Sequence, residues 1–393
     1  MTSPAPALDY RYMLPADWCD RMLAWKPEPP HLAPYVEYLQ AVVQKHGAAS
    51  IMIEHVQELA LAVCGLARSP LFASHLEIFG RIEALGGFDA LRAPLKERSS
   101  TQKQLYEIIE DIESAEAEWL GLDALALRGW TIEPFARAKG SPDWRVSRGG
   151  QAVDVDVKNK ASRSAAWMRL TWTLKGAALC PQHQFLNEFQ WRWEVPESCR
   201  SKHASRFMYV LWEALPKLER FLQQHDDEAH LWAQGGWSLV ATRDEDRTYL
   251  SFNGPHDASS PTSILSLACE PTADARFFRS GSSVAGFVEE FGPDSRQTLA
   301  RVFSRLGIGK QAAARAMPTL FVVIWYVPFT WELHLHHEEL QEALDTLTAN
   351  LSWPAVVLWP LGKFEIAKAD WVLNDGAKRM LQQAVEFSAR LDS

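Results

Sequence analysis

Apolar residues recur at helical spacing through the first hundred positions. In Pro34–His46, Val36, Leu39, Val42 and Val43 fall on one face. Ser50–Leu66 and Leu71–Leu85 repeat the pattern, and Gly86-Gly87 is expected to close the second. A long helix is predicted from about Ser99-Ser100-Thr101 to Gly129. Its stretch Glu107–Asp123 holds seven acids, read mostly as a solvated face. Glu118 differs, because Leu122 and Leu125 follow it along one helical stripe.

The period then changes. Trp130–Phe135 reads as a short strand, Ala136–Pro142 as a loop, and Asp143–Val146 with Gln151–Asn159 as a hairpin turned by Ser147-Arg148-Gly149-Gly150. Phe189, Trp191, Trp193 and Val195 alternate as a half-buried strand, Ser201–Gln224 is helical, and His230–Thr242 with Arg247–Phe252 suggest a strand pair. Ser295–Ala316 is helical with a break near Gly307 and Gly309. Thr319–Val327 is a continuous apolar run, the mark of a central strand buried on both faces. Ala355–Trp359 is another, and Asn374 or Asp375 caps a last helix whose core positions are Leu381, Ala384, Val385 and Leu391.

The hairpin carries the most informative chemistry. Val153, Val155 and Val157 share one face of its second strand, and Asp154, Asp156 and Lys158 share the other. Asp143 falls at the start of the neighbouring strand. Two carboxylates at such a point can share a hard divalent cation, with the Val157 carbonyl as a third oxygen. Lys158 can orient a water, and Glu118, with Glu113 and Glu116 as rivals on the same helix, can complete the shell. Asp154 is read as a neighbour rather than a ligand.

Composition narrows the setting. The chain has 393 residues, 47% hydrophobic and 23% charged, which is the ordinary globular range. Five scattered Cys without a CxxC pair argue against a disulfide framework or thiolate zinc site and predict a reducing, cytoplasmic setting. Neither a secretory leader nor a membrane span is expected: the longest apolar run, from Leu320 to Trp331, is interrupted by Pro328 and Thr330. The net charge of −9 disfavours general adhesion to nucleic acid. Locally the balance reverses: from Ala136 to Lys175, nine basic side chains stand against three acids, among them Arg145, Arg148, Lys160, Arg163 and Arg169. A basic patch around a carboxylate pair suits a nucleic-acid backbone. Trp167, Trp172, Trp191 and Trp193 read as sheet core more than as a base-stacking platform. His334, His336 and His337 read as a polar strand end, and Arg279–Ser283 as a loop.

Glu118 on a helix, then Pro142-Asp143, then Asp156-Val157-Lys158 on the next strand resembles the PD-(D/E)XK nuclease superfamily, over about Asp111 to Lys160. The resemblance implies an α/β restriction-endonuclease-like core, a central mixed sheet flanked by helices. It also implies Mg²⁺- or Mn²⁺-dependent phosphodiester hydrolysis with DNA as the favoured substrate, serving restriction, anti-phage defence, repair or a nuclease toxin. The metal ligands would be Asp143, Asp156, Val157 through its carbonyl, and Glu118, with Lys158 positioning the water. The expected organisation is a helical region over 1–100, the first half of the core over 101–175, an α+β insertion over 176–290, and the second half with a C-terminal helix over 291–393. The later core elements are then Ser295–Ala316, Thr319–Val327 and Ala355–Trp359, in preference to Ser201–Gln224 and Leu231–Thr242. The rival reading is a non-catalytic nucleic-acid- or protein-binding module that keeps the fold. The assembly state is left open, a homodimer included.

Overall fold

The structure is a computed structural model. It describes residues 14–66, 70–96, 105–134, 142–161, 173–174, 176–194, 201–224, 226–245, 247–255, 265–271, 281–282, 299–300, 306, 308, 319–327, 337–348, 355–362 and 372–381. The protein is an α/β molecule with two mixed six-stranded sheets. No helix among these residues is long and apolar enough to cross a membrane.

The N-terminal part is helical, as its periodicity predicts. α1 (Trp18–Ala24), α2 (Ala33–His46), α3 (Glu54–Val63) and α4 (Pro70–Lys96) pack on one another and on α5 (Leu105–Ala126). One expected boundary moves. Residues Gly47–Met52 form a 3₁₀ turn, so the span expected to begin at Ser50 becomes a helix only at Glu54. Gly86-Gly87 breaks α4 as expected: Gly87 (φ +67°) is non-helical and separates two helical stretches, the second of which runs on to Lys96.

The first sheet runs β1 (Thr131–Pro134), β2 (Trp144–Arg148), β3 (Gln151–Ala161), β10 (Thr319–Val327), β11 (Ala355–Gly362), β12 (Val372–Leu373). The first three strands form an antiparallel meander, and β10 lies parallel to both β3 and β11. Gly149 and Gly150 make the two-residue turn between β2 and β3, both with positive φ, as a type I′ turn requires. Thr319–Val327 is the buried central strand that its unbroken apolar run predicts, with Leu320 to Ile324 fully buried.

The sheet separates two apolar layers. Val153, Val155, Val157, Leu320, Val322 and Ile324 belong to the large core with α5, and Gly121 of α5 rests on Val157 and Val322. Phe321, Val323 and Val356 join a second cluster with Leu340, Ala343 and Leu344 of a helix over His337–Thr348, together with Leu299 and Ile308. Leu299, Ala300, Leu306 and Ile308 are helical; the rest of the expected Ser295–Ala316 helix lies outside the described residues. His337 opens a helix and so is not a strand end; His334 and His336 lie outside the described residues.

All strands of the second sheet come from the chain between β3 and β10. Its order is β5 (Glu228–Gln234), β6 (Trp237–Asp244), β7 (Arg247–Asn253), β8 (Leu265–Pro271), β4 (Phe189–Glu194), β9 (Gly281–Ser282). α6 (Ser201–Gln223) packs on β5 and β6. The single strand expected over His230–Thr242 is two, because Gly235-Gly236 (φ +58° and +78°) turns a second hairpin there. Trp191 is fully buried, its indole N–H bonded to the Leu186 carbonyl at 2.9 Å, which is the core role. Trp167 and Trp172 lie outside the described residues. Asn374 settles the last cap: its Oδ1 accepts from the N–H groups of Ala377 and Val356, both at 2.9 Å. Leu381 packs on the core; Ala384, Val385 and Leu391 lie outside the described residues.

Candidate active site

The register brings the hairpin acids together. Trp144 pairs with Val155, which sets Asp143 beside Asp156 at the mouth of the β2–β3 ladder. The Asp143 N–H donates to Asp156 Oδ1 at 3.2 Å, and the Val157 N–H donates to Asp143 Oδ2 at 3.2 Å. Each carboxylate is held by a backbone amide of the other strand. Lys158 Nζ stands 3.9 Å from Asp156 Oδ2.

The faces follow from the pairing. Asp156 is in register with Phe321 and Lys158 with Val323, so both side chains leave the sheet on the side of the second cluster. Asp156 is 0% exposed, while Lys158 retains 21%. A buried carboxylate needs compensating partners; the Asp143 amide and the Lys158 ammonium serve here.

Glu118 is placed differently. It is buried on the stripe of α5 that includes Gly121, whose neighbours are Val157 and Val322. Helix α5 thus lies across the valine face of β3, and Asp156 and Lys158 point to the other face. Among the described residues, no three His, Cys, Asp or Glu side chains come close enough to hold a metal ion together.

The basic residues also divide. Arg145 is an ion-pair partner of Asp154, with Nε at 3.0 Å and an outer nitrogen at 2.9 Å from Oδ1. Arg148 falls on the valine face, its guanidinium beside Gly129. Lys160 occupies β3 opposite Trp325. Arg163 and Arg169 lie outside the described residues.

The acidic helix is not uniformly solvated. Asp123 is buried and takes a two-pronged contact from Arg81, at 2.6 and 3.0 Å. Glu116 lies between two buried imidazoles: His55 Nε2 is 3.7 Å from Oε2 and His75 Nε2 is 3.6 Å from Oε1. The Tyr35 hydroxyl is hydrogen-bonded to His55 Nδ1, and the Tyr35 ring stacks on His75. The sequence pattern did not single out this group. The available signal was a histidine on each of two apolar helices and a tyrosine on a third, beside a helix rich in acids.

The chain matches no family model, no curated protein and no solved structure.

Proposed function

We propose that this protein is a divalent-metal-dependent nuclease of the PD-(D/E)XK kind, acting on DNA. One observation carries the reading: Asp143 and Asp156 meet across two strands, with Lys158 beside Asp156 on the same face. The order of elements supports it, since a helix leads into a three-strand meander and the next strand of that sheet, β10, lies parallel to β3.

The donor chemistry fits a hard cation. Two carboxylates are oxygen ligands suited to Mg²⁺ or Mn²⁺. Val157 directs its N–H at Asp143, and in a strand the carbonyl of that residue points to the same edge. Asp143, Asp156 and the Val157 carbonyl would hold the ion, and Glu118 is left out by its position on α5. The ion would supply Lewis acidity at a phosphodiester. Lys158 would orient the attacking water.

The two amide bonds that clasp the carboxylates favour the second reading, a binding module in which Asp143 and Asp156 only fasten the hairpin. Incubation with single- and double-stranded DNA and RNA separates the two. The nuclease reading expects cleavage with Mg²⁺ or Mn²⁺ that stops with a chelator. Binding without cleavage on every substrate selects the module.

A further inference from the structure

Helices α2, α3, α4 and α5 each send one polar side chain to a single buried point. Tyr35 comes from α2, His55 from α3, His75 from α4 and Glu116 from α5. The walls are aromatic: Phe79 and Trp119 pack edge-on against Tyr35 and against each other. Tyr35, His55 and His75 are almost wholly out of solvent. Each carboxylate oxygen of Glu116 faces its own imidazole. Tyr35 closes the circuit, bonding one imidazole and stacking on the other.

Such a group has one economical charge state. With both imidazoles neutral, neither offers a positive charge to the Glu116 carboxylate in this poorly solvated site. One proton on an imidazole makes a neutral pair. We propose that Tyr35, His55, Glu116 and His75 form a proton-operated clamp that fastens the N-terminal helices to α5. The clamp is closed when His55 is an imidazolium and weakened when it loses its proton.

The charges around His55 agree in sign. Burial opposes its charge, but Glu116, with Glu54 and Glu58 of its own helix, prevails and raises its pKa above the ordinary 6.5. From α4 the facing group is His75, and from α2 it is Tyr35. Asp17, which precedes α1, and Arg21, in its last turn, act on Cys64, past the far end of α3, and the preceding turn Gly47–Met52 carries no charged side chain. The linkage follows. A raised folded-state pKa contributes stability that is complete below pH 6.5 and is lost as pH rises through the folded value. The clamp is independent of the nuclease reading.

The test is a titration of the whole protein labelled with ¹³C at histidine Cε1, with His55→Gln and His75→Gln assigning the two signals. In the wild type the His55 signal should titrate with a midpoint above 6.5. The thermal midpoint should fall by about 2 °C or more across the same window. Glu116→Gln should lower the His55 midpoint, since burial is then opposed only by Glu54 and Glu58, and flatten that slope. A wild-type His55 midpoint at or below 6.5, or an unchanged slope in Glu116→Gln, overturns the clamp. If Glu116→Gln does not fold, the wild-type titration decides alone.

Discussion

Asp143 and Asp156 hold each other's strands: the amide of the first donates to the carboxylate of the second at 3.2 Å, and the amide following Asp156 returns a bond to Asp143. The pair lies where β2 begins to separate from β3. There the ladder supplies no further partner between these two strands, and the side chains take over. A carboxylate pair at that point serves the hairpin whether or not it serves a metal. Predictions about the site must therefore separate folding from chemistry.

Arg145→Ala tests the division of the basic residues. Asp154 is nearly buried and would lose its guanidinium partner. Because Arg145 itself is 40% exposed, solvent screens part of the effect. A loss of about 1–2 kcal/mol in urea unfolding is expected. Arg163→Ala and Arg169→Ala should weaken DNA binding, more so at low salt. Measured affinity across a salt series checks the binding statement.

Two glycines set tight contacts with opposite outcomes. A Cβ at Gly176 would meet Gln57 Nε2 at 2.1 Å and the Ile51 carbonyl oxygen at 2.6 Å. Backbone must move, so Gly176→Ala should cost about 1–3 kcal/mol. The three atoms nearest to a Cβ at Gly121 are side-chain methyls, two of Val157 at 3.2 and 3.3 Å and one of Val322 at 3.5 Å. Alanine is better than glycine inside a helix by about 1 kcal/mol, which offsets that crowding. Gly121→Ala should therefore change the thermal midpoint little, and the pair is compared by calorimetry.

Asn374→Ala should destabilise by about 1–2 kcal/mol, because one oxygen caps the last helix and also receives the Val356 N–H of β11. Chemical unfolding of the single variant checks this. Asn374→Asp, which keeps the acceptor, should recover most of the loss.

Burial pushes the Cys180 and Cys269 thiols up to about 12. Thiolate is the reactive form, so at pH 8 both should resist alkylation in the native protein. Cys19 and Cys64 are partly exposed and should label first. Mass spectrometry of peptides after a short iodoacetamide pulse reads the order. Rapid modification of Cys269 without denaturant would contradict it.

How much of this was legible in the chain depends on where each element takes its partners. The β2–β3 hairpin could be read locally, because strict alternation and Gly149-Gly150 specify strands, turn and face at short range. β10 was equally plain, since a strand buried on both faces must be apolar throughout. The second hairpin was hidden because Gly235-Gly236 interrupts an otherwise continuous β-forming stretch. Glu118 shows the limit of stripe reasoning. Its apolar neighbours mark it as inward-facing, yet only the packing of Gly121 on Val157 says which side of the sheet it meets. Glu116 read as a solvated acid or as a rival of Glu118, and its histidine partners lie 41 and 61 residues away in the chain.

The central claim is that Asp156 and Lys158 do chemistry, and single-turnover cleavage of DNA in Mn²⁺ tests it most directly. Asp156→Asn keeps an oxygen that can accept the Asp143 N–H, so the hairpin should survive. Lys158→Ala removes a partly exposed ammonium. Measured beside the wild type with DNA affinity in parallel, both variants should bind DNA and cleave it about 10²-fold or more slowly. Cleavage at the wild-type rate by both variants would contradict the account.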